Sequence, residues 1–177
     1  NADNEAGITV SKNWLVTTEA GGTDSFTVVL NTAPTADVTI GLASSDVGEG
    51  TVFPASLVFT PDNWNIPQTV TVTGVDDVVD DGDAPYAIVF AAAVSADAAY
   101  NGVKGADVPA LNLDNDEAGI IVTPQELTVS ETGTTANFTV VLGTRPTADV
   151  VISYVSGDPT EGVVTPASRT FTPDNWN

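Results

Sequence analysis

The residues able to do chemistry in this chain are carboxylates, and they are bunched. Asp76-Asp77, Asp80-Asp81 and Asp83 follow a strand-like segment ending at Gly74, and Asp114-Asn115-Asp116-Glu117 follow another ending at Leu113. Single acids stand in turn-like contexts at Glu19 (Thr-Glu-Ala-Gly), at Glu131 (Ser-Glu-Thr-Gly), and at Asp46 and Asp158. Two carboxylates about 4 Å apart repel by roughly 4 kcal/mol at an effective dielectric near 20. A fold that gathers several of them either splays them into water or neutralises them with a hard cation. Calcium suits such a set, because it takes six to eight oxygens in flexible geometry and needs neither His nor Cys; magnesium keeps more of its waters. For an isolated acid such as Glu19 or Asp46 the simpler reading is a solvated loop charge. No acid falls in an EF-hand spacing, so a site must be assembled by the fold from separate loops.

Composition narrows the alternatives. The chain has no His and no Cys, which removes the usual zinc ligands, Ser-His and Cys-His nucleophile systems and any disulfide staple. Only a carboxylate mechanism would remain for catalysis. The acids stand at strand ends with no aromatic-lined cleft readable around them, so the chain is expected not to be an enzyme. Four basic residues against 24 acids give a formal charge of −20, which disfavours nucleic acid and anionic membranes as partners. Disorder does not follow from the acidity, since 42% of residues are hydrophobic and they alternate regularly. No apolar run approaches the roughly 18 residues of a membrane span. Asn1 shows no initiator Met and no signal-peptide pattern, so a mature or excised segment is expected.

The elements that must position these acids are repeated. Residues 4–65 align without a gap on 116–177, an offset of 112, and 36 of the 62 pairs are identical. Phe26-Thr27-Val28-Val29-Leu30 returns as Phe138-Thr139-Val140-Val141-Leu142, and Thr60-Pro61-Asp62-Asn63-Trp64-Asn65 as Thr172-Pro173-Asp174-Asn175-Trp176-Asn177. The spacing predicts a complete repeat over 1–113 and the N-terminal half of a second over 114–177. Counterparts of Ile66 to Leu113 are missing from the second copy. The expectation is a window from a longer array, or a subunit whose missing strands come from a neighbour.

Within the first copy, period-two alternation predicts seven strands: Ile8–Val10 with Leu15–Val16 as one broken strand, Ser25–Leu30, Val38–Leu42, Leu57–Thr60, Gln68–Thr73, Tyr86–Val94 and Val108–Leu113. Val70 and Val72 point inward and Thr69, Thr71 and Thr73 outward, the latter read as a solvated row. Seven short strands in about 110 residues predict an all-β, immunoglobulin-like sandwich. Trp64 and Trp176 recur at one repeat position and read as structural, although Trp residues can also stack on sugars in a glycan-binding module.

Several of these motifs together resemble the Calx-beta family of calcium-binding sandwich domains, in the form found as tandem repeats in large bacterial surface proteins. The likeness is carried by Val16-Thr17-Thr18-Glu19-Ala20-Gly21, by Asp76-Asp77 after a Thr-Val-Thr-Val strand, by Leu113-Asp114-Asn115-Asp116, and by the block from Phe59 to Val70. The resemblance implies a calcium site at one end of the sandwich formed by Glu19, Asp46, Asp76, Asp77, Asp114 and Asp116. Asp80, Asp81, Asp83 and Glu117 stand as additional ligands, and Glu131 and Asp158 match in the second copy. Ser45-Asp46-Val47 lacks the aromatic that commonly follows that acid in the family. Asp3-Asn4-Glu5 matches Asn115-Asp116-Glu117 and is expected to serve a preceding domain in the same way. Because the last acids lead without a spacer into the next copy, bound calcium is expected to stiffen a string of sandwiches. The implied role is an extender in adhesion or matrix, extracellular or at the cell surface, with adjacent copies of the repeat as partners. A self-assembling extracellular filament is the alternative.

Overall fold

The computed structural model describes residues 5–177; Asp3 and Asn4, with the role expected of them, lie outside the described residues. Every regular element among the described residues is a β-strand, and no helix is long and apolar enough to cross a membrane. Two compact units are present. The first runs through Asp77 and resumes over Gly82–Asn115; the second comprises Val78–Asp81 and Asp116–Asn177.

The first unit is an immunoglobulin-like sandwich built by alternation. In β3 (Thr23–Leu30), Phe26, Val28 and Leu30 are buried; in β4 (Val38–Ser44), Val38, Ile40 and Leu42; in β7 (Gln68–Gly74), Val70 and Val72. β8 (Ala84–Phe90) adds Tyr86, Ile88 and Phe90, and β10 (Val108–Leu113) adds Val108 and Ala110. With β1 (Ile8–Val10), β2 (Leu15–Thr18), β5 (Gly50–Phe53), β6 (Ser56–Phe59) and β9 (Val94–Ser95), these strands form two sheets, ordered β1-β3-β7-β5 and β2-β10-β8-β4-β6, with β9 also on β4. Their inner faces enclose one core.

The broken first strand foreseen from sequence is divided between the sheets. β1 runs antiparallel to β3, with Ile8 opposite Leu30, whereas β2 runs parallel to β10, with Leu15 opposite Ala110. This crossover carries the chain to the end where β2 and β10 finish together, Leu113 opposite Thr18. Two elements differ from expectation. β5 was not foreseen, and the strand expected over Tyr86–Val94 stops at Phe90. There the Ala93 amide turns to the Val103 carbonyl, and β9 pairs with β4 instead.

The second unit repeats the first in register. β11 (Ile120–Thr123) pairs with β12 (Thr139–Leu142) with Ile120 opposite Leu142, and β13 (Val150–Ser153) pairs with β14 (Ser168–Phe171) with Val150 opposite Phe171. Each pairing is its first-copy equivalent displaced by 112, Ile8 opposite Leu30 and Val38 opposite Phe59. The Thr-Pro-Asp-Asn-Trp-Asn turn is also duplicated: the Asn63 and Asn175 side chains each accept the amide of the Thr three residues earlier, at 2.6 Å. Trp64 and Trp176 pack on their respective cores, and their carbonyls accept the Leu30 and Leu142 amides. Both tryptophans are therefore framework residues, while Trp14 is half exposed.

Candidate metal centre

Glu19 stands one residue past β2, in a turn that Gly21 makes possible. Gly21 adopts φ +78°, a left-handed conformation strained for other residues, and its amide closes on the Thr18 carbonyl at 3.1 Å. The Glu19 amide donates to the Leu113 carbonyl, which ties the turn to the end of β10. The carboxylate is thereby drawn inward: Glu19 is only 4% exposed, and its Oε2 accepts the Asn115 amide at 3.2 Å.

The other acids converge from the strand ends. Within the first unit, carboxylate oxygens of Glu19 and Asp114 lie within 4.8 Å of each other; Asp116 belongs to the second unit. Asp114 is fixed from both sides, since its carboxylate accepts the Gly82 amide at 2.6 Å and its amide donates to Asp83 Oδ1 at 3.1 Å. Asp76 accepts from the Asn115 side chain at 3.3 Å, and Asp77 acts on Glu19 by like charge. The Asp pair, Asp83, Asp114 and Glu19 thus share one end of the sandwich.

The remaining acids are placed differently. Asp46 is exposed and closes its own turn, accepting the Gly48 amide at 2.9 Å; Asp158 does the same for the Thr160 amide. Asp80 accepts the Ala118 amide within the second unit. Asp81, Glu117 and Glu131 are exposed. Glu131 occupies the same Gly-closed turn as Glu19 and is exposed.

Sequence reasoning missed Glu49, which precedes the unforeseen β5. Its carboxylate accepts the Asn112 side chain at 3.4 Å, and Asn112 also donates to the Val75 carbonyl at 3.0 Å. Behind the acids lies a buried relay: Thr17 Oγ1 donates to Asn112 Oδ1 at 3.0 Å, which leaves the Tyr86 hydroxyl to donate to Thr17 at 2.9 Å. Gly74 completes the packing, because a Cβ there would stand 2.3 Å from the Thr18 carbonyl oxygen and 2.4 Å from Asn112 Oδ1.

Burial pushes Glu19 up from 4.5 to about 6, reinforced by the charges of Asp114 and Asp77, although the Asn115 amide pulls the other way. A carboxylate in that position favours a bound proton or a bound cation. The donors are hard oxygens on several loops, so the set fits calcium; Glu19 and Asp114 would hold it, with the Asp76-Asp77 pair alongside. In chelator, the metal-free first unit is expected to gain stability as pH falls from 7 toward 4.5. The reason is that the folded state takes up the Glu19 proton more readily than the unfolded chain, and this contribution is lost as pH rises through about 6. Asp97, held below the usual range by the Thr35 and Ala99 amides, and Asp107, held there by the Phe90 amide and Lys104, oppose acidification only below about 3.8. Thermal unfolding in chelator from pH 4.5 to 7.5 measures this, and a flat profile would contradict the placement of Glu19.

Fold and site define the class: an immunoglobulin-like β-sandwich with carboxylates gathered at one end. No protein-family model matches the chain, and no curated protein matches it. Among solved structures, the apo form of the Calx CBD1 domain is similar at 18% identity and a TM-score of 0.46, covering 62% of this chain and 99% of that one. CBD12 from CALX1.2 is similar at 17% identity and 0.47, covering 61% and 44%. The periplasmic chaperone SfaE is similar at 10% identity and 0.48, covering 62% of this chain and 57% of the chaperone.

Proposed function

We propose that this chain is a calcium-binding structural repeat of an extracellular or cell-surface protein, acting as a calcium-stiffened extender in adhesion or matrix, with no catalytic role. The observation that carries the reading is the buried Glu19 carboxylate beside Asp114 and within reach of the Asp77 charge. Such an arrangement is electrostatically unfavourable without a cation and suited to a divalent one with it. Tandem copies of one domain, 36 of 62 residues identical, add length and spacing, which is what an extender requires. Asp114 to Glu117 lead in sequence directly into Gly119 and the next copy, so calcium bound there restrains the connection.

The test is thermal unfolding of the chain against calcium. Extracellular calcium modules bind in the range of about 10⁻⁴ to 10⁻³ M. At a hundredfold excess over Kd, one ion adds about 2.7 kcal/mol, a rise in the first unit's Tm of roughly 10 °C. Magnesium at equal concentration is expected to give a smaller rise. A Tm indifferent to calcium would overturn the reading, and an unchanged maximum dimension in small-angle scattering would remove the stiffening role.

A further inference from the structure

In β10 the alternation that turns Val108 and Ala110 into the core brings a third residue to the same face, and that residue is Asn112, 1% exposed. Directly across the parallel ladder stands Thr17, also buried, where β2 has just turned Leu15 inward. Apolar side chains would fill both places without any polar group leaving water. A buried amide is tolerated only where its hydrogen bonds are made.

Asn112 makes them, and in one orientation. The Val75 carbonyl can only accept, so the side-chain NH₂ faces it at 3.0 Å and reaches the Glu49 carboxylate at 3.4 Å. The amide oxygen therefore faces Thr17, whose hydroxyl donates to it at 3.0 Å and receives the buried Tyr86 hydroxyl at 2.9 Å. The groups joined in this way come from three separate segments. Val75 follows β7 and leads into Asp76-Asp77, Glu49 precedes β5, and Asn112 lies two residues before Asp114. Val75 is pinned on its other side as well, since its amide donates to the Glu49 carbonyl at 3.0 Å. Asp77 and Asp114 both act on Glu19 by like charge, so repulsion works to drive these segments apart. The Asn112 side chain opposes it with two neutral donors.

We propose that Asn112 is a positioning residue for the carboxylate end. It holds Glu49 and the root of the Asp76-Asp77 segment against the end of β10 before a cation arrives, and so raises calcium affinity by acting through those residues. The effect on affinity rests on the calcium reading; the tie between the three segments does not.

The test compares the native chain with Asn112→Leu and Thr17→Val by two measurements. In chelator, hydrogen exchange of the Val75 amide is expected to accelerate about tenfold or more in Asn112→Leu, while the β3 amides keep their native rates. In calorimetric titration with calcium, Asn112→Leu is expected to bind about tenfold or more weakly. Thr17→Val removes only the hydroxyl that orients the amide, and is expected to move both readouts the same way by less. It carries the test if Asn112→Leu does not fold. Native exchange at Val75 in a folded variant overturns the proposal, and so does faster exchange with native calcium affinity. A lower melting temperature with both readouts native would make Asn112 a core residue only. A native chain that binds no calcium overturns the proposed function and the affinity claim with it, and Val75 exchange alone then decides the tie.

Discussion

Replacing Glu19 by Gln is expected to move the stability of the first unit in opposite directions with and without calcium. In chelator at pH 7 the native carboxylate is ionised although burial and the charges of Asp114 and Asp77 oppose it. The displacement from 4.5 to about 6 corresponds to about 2 kcal/mol. Gln removes that charge, keeps the size, and still offers an oxygen to the Asn115 amide, so Glu19→Gln should raise Tm by roughly 5–10 °C. In saturating calcium the sign reverses, because an anionic oxygen has been lost from the group formed with Asp114. Calcium affinity should fall about tenfold or more, and the variant should lie below the native protein. Two thermal melts per protein decide it. A variant less stable than the native protein in chelator would mean that the Glu19 charge is already compensated within the fold.

The second large effect uses the repeat as its own control. Phe26 and Phe138 are the same residue at the same register, but Phe26 is 2% exposed and packs beside Phe90, whereas Phe138 is half-buried against Tyr154. Truncating a buried Phe costs about 3–5 kcal/mol through lost transfer energy and the cavity left behind. Phe26→Ala is therefore expected to destabilise the first unit by that amount in urea unfolding. Phe138→Ala should cost the second unit at most about half as much, measured by hydrogen exchange at β12. Equal costs would mean that the second core is as well covered as the first, against the exposure of Leu127 and Val129.

These two positions also show what was legible without coordinates. Phe26, Val28 and Leu30 declare their inward face by alternation alone, and their exact return at 138, 140 and 142 declares the repeat. Either signal survives any arrangement of the sheets, because side chains in a strand alternate with period two wherever the strand lies. β5 escaped notice for the opposite reason. Gly50–Phe53 has little pattern of its own and becomes a strand through its pairing with β7. Glu49 was missed together with it. The split of the first strand between sheets was likewise hidden, since parallel pairing of β2 with β10 joins residues about 95 apart in sequence.

The acids divide along the same line. Glu19, Asp76, Asp77, Asp114 and Asp116 could be named from residue type, turn context and family likeness. Asp46, whose Ser45-Asp46-Val47 lacks the usual aromatic, and Asp158 were named from the family likeness, and the fold uses their carboxylates to close turns. Residue type and spacing by themselves determined an acidic, all-β, duplicated chain with carboxylates gathered at its strand ends. Tertiary structure alone decided which carboxylate lost its water. Glu19 lies beside β10, and the Leu113 carbonyl and Asn115 amide at the end of that strand draw its carboxylate out of solvent. Desolvation depends on what covers a group, and the covering strand lies far away along the chain.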